Sequence, residues 1–172
     1  MFTFPIRILL ILVAAGYGTF QVTTGHRAGF ALIAAAGLLA FGYFRYGPIR
    51  PAFAALMRGE VDRAERMIAT VRFPNLLNSQ SRAYFYWIRG LIEAQYEDGL
   101  ATAMSNLQAA LDCGVRTSND RCLLVATLAD LTARANDVHE ASRLLDEARG
   151  LPHSDGVDAY LDKLEQVIPR DS

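Results

Sequence analysis

Apolar residues follow two different patterns along the chain, and the change falls near residue 50. Two runs without a formal charge, residues 8–25 and 28–44, are separated only by His26 and Arg27. As a helix each run would reach roughly 26 Å, close to the thickness of a bilayer's hydrocarbon core. Beyond residue 50, apolar residues recur at three- and four-residue spacing, the period of helices with one buried side. The pattern predicts an all-α protein with two kinds of helix.

The first part is predicted to be a transmembrane helical hairpin of residues 1–47, with spans at about 6–24 and 28–46. Aromatic residues lie near the ends of both runs, where membrane proteins place them. Two other interpretations stay open: a signal peptide with a small-residue cleavage site at 14–16, or two buried helices of a soluble core. The second run and the absence of acidic residues favour the hairpin.

Charge separates the same two parts of the chain. Residues 1–50 contain four arginines and no acidic residue, whereas residues 51–172 contain 13 basic and 18 acidic residues, a balance of −5. Three of the four arginines, Arg7, Arg45 and Arg50, flank the runs on the side of the termini. The positive-inside rule therefore predicts an integral protein of the bacterial inner membrane with both termini in the cytoplasm. The acidic second part argues against a nucleic-acid partner.

Helix-breaking residues divide the second domain, residues 48–172, into seven predicted helices. Two prolines in the segment 46–51 predict a short non-helical linker before the first of them. The predicted helices are 51–58, 61–72, 79–96, 100–112, 118–135, 138–149 and 156–168.

An internal repeat groups these helices into pairs. The pattern Ala64-x-x-x-Ile68-x-x-Val71 recurs 39 residues later from Ala103 and another 38 residues later from Ala141. Each copy follows a short polar or glycine-containing break. Alanine at the first position lets the second helix of a pair approach the first closely. A period of this length is typical of a helical-repeat array.

The repeat resembles the tetratricopeptide repeat (TPR) family. Residues 55–68 are similar to that family's turn and second helix, and Trp87, Gly90 and Tyr96 resemble a displaced version of its first-helix signature. The resemblance implies an α-solenoid of about three helix pairs over residues 51–150, followed by a capping helix. The period of 38–39 residues exceeds the family's 34. A generic antiparallel helical array is the alternative interpretation.

The resemblance also implies a concave groove lined by the first helices of the pairs. A helical wheel over 79–96 predicts a core side made of Tyr84, Trp87, Ile88, Leu91 and Ala94. Interleaved polar and aromatic side chains opposite this side, together with a stripe on 118–135, are the candidate protein-binding residues. They are Arg82, Tyr86, Arg89, Glu93, Tyr96, Thr127, Asp130 and Arg134. A solvated face with ordinary ion pairs is the alternative.

Motifs for catalysis are missing from the sequence. There is no glycine-rich phosphate loop, the three histidines are far apart, and Cys113 and Cys122 have the character of reduced core residues. We therefore expect no enzyme activity, no cofactor and no metal site.

The function predicted is that of a membrane-anchored TPR-like scaffold or adaptor, which binds or positions a protein partner at the membrane surface. The hairpin is expected to contact the lipid bilayer. One alternative is an accessory or assembly subunit of a larger integral membrane complex, in which the hairpin packs on neighbouring transmembrane helices. Another is a signal-anchored periplasmic TPR protein.

Overall fold

The computed structural model describes residues 4–46 and 48–168, and the fold is all-α. These residues form nine α-helices and two short 3-10 helices, Pro74–Leu76 and Glu97–Gly99, and no β-strand. The α-helices are α1 (Phe4–Thr23), α2 (Ala28–Tyr46), α3 (Ile49–Met57), α4 (Val61–Ala69), α5 (Ser79–Glu93), α6 (Leu100–Cys113), α7 (Ser118–Arg134), α8 (Val138–Gly150) and α9 (Asp155–Val167). The chain divides into two compact units, residues 1–47 and 48–172.

The first unit is a hairpin of α1 and α2. Gly25 adopts a φ of 83° in the turn, a conformation that favours glycine. The two helices approach closely at Gly18 and Gly29, since a Cβ atom on Gly29 would lie 2.5 Å from the Gly18 carbonyl oxygen. Two helices cannot bury each other completely, so large apolar side chains on their outer sides remain exposed.

The predicted hairpin is present, but the prediction that its helices are transmembrane spans is not supported. Within residues 4–46 and 48–168, no helix combines the length and the apolar character needed to cross a membrane. The side chains of Arg7 and Arg45, which contribute to the predicted orientation, lie outside the part of the chain that the structure describes.

The second unit stacks helix pairs in chain order. Its pairs are α3–α4, α5–α6 and α7–α8, and α9 packs on both helices of the last pair. Successive pairs are also in contact, because α5 packs on α3 and α4, and α7 packs on α6. This is a helical-repeat-like fold. The first alanine of each repeat, Ala64, Ala103 or Ala141, is fully buried in the second helix of its pair.

The linker predicted over 46–51 is shorter than expected, because α2 ends at Tyr46 and α3 begins at Ile49 and includes Pro51. Proline is tolerated in the first turn of a helix, where its missing N–H has no partner to lose. The predicted helices 61–72 and 79–96 end earlier, at Ala69 and Glu93. After α5, Gly99 lies so close to the Glu93 carbonyl oxygen that a Cβ atom would be 2.0 Å from it. The chain therefore turns tightly there.

Helix α5 is buried on two sides. Of its predicted core residues, Trp87, Ile88 and Ala94 are buried, and Tyr84 and Leu91 are half-buried. Two further residues, Phe85 and Ile92, are buried against the cluster formed by α3 and α4. A helical wheel that assumes one core side could not include them, because α5 lies between the α3–α4 pair and its own partner α6.

Candidate functional site

Side chains from α3, α5, α7 and α9, the alternate helices of the second unit, form a connected surface that we call the alternate-helix face. Each of these side chains is half-buried, so it is supported by the core and still accessible. The face consists of Phe53, Tyr84, Leu91, Leu123, Thr127, Asp130 and Tyr160.

Aromatic contacts join α3 to α5 at one end of this face. The Phe53 ring packs edge-on against Tyr84, with centroids 5.5 Å apart, and lies 5.1 Å from the Trp87 ring. Tyr84 and Trp87 stack at 5.8 Å. Trp87 is only 3% exposed. The two half-buried rings therefore rest on a buried aromatic base and form a preordered apolar surface.

A short hydrogen bond joins α5 to α7. The Tyr84 hydroxyl donates to Asp120 Oδ2 at 2.5 Å. Burial, followed by the neighbouring Asp120 carboxylate, raises the pKa of Tyr84 to about 12, against an ordinary value of 10.0. Tyr84 is therefore a neutral donor at physiological pH, and its hydroxyl ties the beginning of α7 to the beginning of α5.

A stripe of side chains on α7 continues the face. Leu123, Thr127, Asp130 and Arg134 are spaced by four, three and four residues, so they share one side of the helix. The Arg134 guanidinium donates to the Ala94 carbonyl oxygen at 3.2 Å, at the end of α5.

Helix α9 completes the face through Tyr160. Burial raises the pKa of the Tyr160 hydroxyl, the charge of Asp130 raises it further, and hydrogen bonding with Thr127 lowers it. These interactions place Tyr160 beside two of the predicted groove residues. The capping helix thus contributes a side chain to the same surface as α7.

The predicted residues of α5 lie on a different side of that helix. Gly90 faces α6, because a Cβ atom there would be 2.8 Å from Leu107. Tyr86, four residues before Gly90, and Glu93, three residues after it, share this side. Arg82 and Arg89 extend the same stripe, and Arg89 pairs with Glu93 at 4.0 Å. Tyr96, which is 54% exposed, follows the end of the helix.

Aligned by their first residues, Ser79 and Ser118, which are 39 positions apart, α5 and α7 show that the two predicted stripes are not equivalent. The residues 39 positions after Tyr86, Arg89 and Glu93 are buried side chains of α7: Val125, Leu128 and Thr132. By the same alignment, Thr127 and Asp130 correspond to Ile88 and Leu91 of α5.

The structure therefore places Thr127 and Asp130 on the alternate-helix face, with the exposed Arg134 next to them on the same side of α7, and leaves the α5 stripe outside it. Sequence reasoning missed Phe53, Leu123 and Tyr160 and assigned Tyr84 to the core. The starts of α5 and α7, which are 39 residues apart, identify the matching side of α5, whereas the 38-residue interval from Ala103 to Ala141 does not.

Chemistry for metal binding is absent from the described residues, in which no three or more His, Cys, Asp or Glu side chains are arranged to hold a metal ion. Both cysteines are free. The Cys122 thiol donates to the Ala148 carbonyl oxygen at 3.2 Å, and burial raises its pKa, which makes it a poor nucleophile.

Comparisons with protein-family models, with curated proteins and with solved structures gave no match.

Proposed function

We propose that this chain is a TPR-like adaptor, held at the bacterial inner membrane by its N-terminal hairpin, that binds a segment of another protein on the alternate-helix face. The observation that carries the proposal is this face, to which four successive alternate helices contribute half-buried aromatic and aliphatic side chains. The hairpin supplies the location, and the helical unit supplies the binding surface.

The architecture of the face supports protein binding. Side chains that are held by packing lose little conformational freedom when a partner is bound, so more of the contact energy appears as affinity. Phe53 and Tyr84 rest on buried Trp87, and the Tyr84 hydroxyl is fixed by Asp120. Aromatic side chains of this kind are frequent anchors of protein interfaces.

The exposed surface of the hairpin supports membrane anchoring. Eleven large apolar side chains between residues 9 and 41 are at least 39% exposed, compared with five in the described part of the second unit. Apolar patches of this extent are rare on soluble monomers and mark contacts with membranes or with other proteins. Residues 1–50 also contain no acidic side chain, which suits an anionic lipid surface.

Anchoring would give the adaptor its advantage through concentration. Confining the repeat unit and its partner to one membrane raises the frequency of their encounters without requiring any new contact. With both termini in the cytoplasm, the alternate-helix face would meet cytoplasmic partners or cytoplasmic segments of membrane proteins.

Site-specific photocrosslinking tests the binding face. A benzophenone amino acid replaces Leu123, on the face, and in a matched variant replaces Arg89, which is exposed on the other stripe. In native membranes we expect discrete adducts from position 123 and none from position 89, identified by mass spectrometry. Adducts from position 89 alone, or from neither position, would contradict the proposal.

Extraction and labelling test the anchor. The full-length chain should remain in the membrane pellet after an alkaline carbonate wash and dissolve in mild detergent. Ser172→Cys in a Cys113→Ser background should react with an impermeant maleimide only after the cells are opened. Release by carbonate would refute membrane anchoring, and labelling of intact cells would refute the cytoplasmic orientation.

The exposed hairpin also favours a second function, that of an accessory subunit in an integral membrane complex. Leu38 is 72% exposed, so a neighbouring helix could cover it as readily as lipid. A photocrosslinker at position 38 distinguishes the two functions. Protein adducts from position 38, with none from position 123, would favour the subunit.

A further inference from the structure

Asp130 differs from every comparable carboxylate in the described residues. Seven acidic side chains there are half-buried, and six of them have a partner. The six are Glu60 with Arg58 and Arg63, Glu93 with Arg89, Asp120 with Tyr84, Glu140 with Arg143, Asp158 with His153 and Glu165 with Arg149. Asp130 alone among the seven has neither an ion pair nor a hydrogen bond.

The nearest cation along α7 does not neutralise Asp130. Arg134 lies four residues later, a spacing at which helical ion pairs form, but its guanidinium donates to the Ala94 carbonyl oxygen. The charge of Asp130 acts instead on the Tyr160 hydroxyl, which is neutral. Asp130 is therefore an accessible, half-buried carboxylate with no cation of its own, and its free oxygens can accept hydrogen bonds from a positive group of a partner.

The surroundings of Asp130 indicate which kind of side chain would bring a positive group to it. Leu123 lies seven residues before Asp130 on the same side of α7, and Leu91 of α5 is the counterpart of Asp130 when the two helices are aligned by their first residues. Both are half-buried and pack on the core. The methylene stem of arginine or lysine lies well on such surfaces while its charged end reaches a carboxylate. Arginine fits best, because its planar fork pairs with a carboxylate through two hydrogen bonds.

We infer that the partner of the alternate-helix face is a peptide segment with an arginine or lysine that pairs with Asp130, next to an apolar side chain that packs on Leu91 and Leu123. The inference rests on the proposed function, since it assigns chemistry to the same face.

Peptide selection on the full-length chain in mild detergent tests this inference. Short random peptides displayed on phage are selected on the immobilised protein, and enriched sequences are synthesised. Binding is followed through Trp87, the single tryptophan of the chain, which lies under the face. We expect the enriched peptides to share an arginine or lysine beside an apolar residue.

Substitution on both sides then identifies the contact. Asp130→Asn in the protein, or Gln in place of the basic residue of the peptide, should each weaken binding about tenfold, and combining them should add little further loss. Asp146→Asn, an exposed position on α8, is the matched control and should leave the affinity unchanged. Unchanged far-ultraviolet circular dichroism and melting temperature show that each variant is folded.

The remaining outcomes separate the inference from the proposed function. If Leu123→Arg abolishes peptide binding while Asp130→Asn has no effect, the face binds peptides but the basic contact is wrong. If neither substitution affects binding, or no peptide is enriched, both proposals are overturned. Self-association of the chain that Asp130→Asn removes would show that a second copy occupies the face, which also contradicts the inference.

Discussion

The Tyr84 hydroxyl connects two helices through a single polar contact between residues that are 36 positions apart. Its phenol ring has a separate role, because it stacks on Trp87 and packs against Phe53. The hydrogen bond and the aromatic packing can therefore be separated by removing the oxygen atom alone. Without that oxygen atom, the Asp120 carboxylate loses its hydrogen-bond donor, and this loss is the expected source of destabilisation.

Tyr84→Phe should lower the free energy of unfolding by about 1–2 kcal/mol, because Asp120 loses its donor while the ring contacts remain. Urea denaturation followed through Trp87 emission measures this loss. Tyr96→Phe is the matched control at an exposed position and should change stability by less than about 0.5 kcal/mol. Equal effects of the two substitutions would show that the contact with Asp120 does not stabilise the fold.

The contribution of Tyr84 should also depend on pH. Its folded-state pKa of about 12 lies above the ordinary value of 10.0, so the protonated hydroxyl is favoured by folding. The stabilisation is fully present below pH 10 and is lost as the pH rises towards 12. The stability difference between wild type and Tyr84→Phe should therefore shrink across this range. A constant difference would contradict the assignment.

His153 fixes the loop before the capping helix through both ring nitrogens. Nδ1 lies 2.5 Å from the Leu151 carbonyl oxygen, and Nε2 lies 2.8 Å from Asp158. Both neighbours are acceptors, so only the protonated imidazole can donate to each of them. The Leu151 carbonyl, followed by Asp158, raises the pKa of His153, while burial and the nearby Arg149 charge act in the opposite direction.

Because the folded-state pKa is raised, the stability that His153 contributes is complete below its ordinary pKa and is lost as the pH rises through the folded value. His153→Ala should therefore lower the melting temperature more at about pH 5.5 than at about pH 8.5. His139→Ala, at the exposed beginning of α8, is the control. A larger effect of His153→Ala at the higher pH would reverse the proposed sign.

Helix α5 shows how a tight turn controls the packing of a pair. It contacts α3 and α4 on one side and α6 on the other, so its end must be placed accurately. Gly99 makes this possible by passing directly against the Glu93 carbonyl oxygen. A backbone oxygen cannot rotate away as a flexible side chain can, so any Cβ atom at this position forces the turn to open.

Gly99→Ala should lower the free energy of unfolding by about 1–3 kcal/mol through overpacking. Gly150→Ala at the end of α8 is the matched control, because no atom lies within 4 Å of the added Cβ. The control should be neutral or stabilising by up to about 1 kcal/mol, since alanine is the better helix former. Denaturant titration compares the two, and equal stability would contradict the close approach.

Considered as a whole, the molecule consists of two units that meet different physical requirements. The second unit has its own core, since both of its buried clusters contain only residues from Ile49 onwards. Residues 1–47 contain three arginines and no acidic residue, a balance of +3, whereas residues 48–172 contain 14 basic and 18 acidic residues, a balance of −4. The formal net charge of the whole chain, −1, is therefore the sum of +3 for the first unit and −4 for the second.

Removal of residues 1–47 should leave the second unit folded, with unchanged helicity per residue and an unchanged Trp87 emission maximum. Removal of residues 1–57 is the matched control, because it also deletes α3 and with it Ile49, Ala52, Ala55 and Leu56 from the core. We expect that longer truncation to unfold at lower urea concentration. Equal stability of the two truncated chains would show that α3 does not belong to the core.

Local properties of the sequence predicted much of the fold. Charge, hydropathy and the three- and four-residue period distinguish the two kinds of helix, and the repeated alanines group the later helices into pairs. These signals are readable because they depend on neighbours along the same helix. Helix ends were less predictable, as Pro51 shows, because a proline within the first helical turn looks the same in sequence as one in a linker.

The candidate site depended on contacts that no single helix encodes. Thr127, Asp130 and Arg134 were predicted from the period of α7, but their companions Tyr84 and Tyr160 come from helices before and after it. The α5 stripe of Tyr86 and Arg89 was assigned to the same groove because a helical wheel assumes one core side. Stacking of the pairs buries α5 on two sides. It thereby decides which of the remaining sides of α5 lies on the same face as the stripe of α7. The sequence thus determines the helices and their pairing through local periodicity, whereas the composition of the face is set by packing between residues more than 30 positions apart.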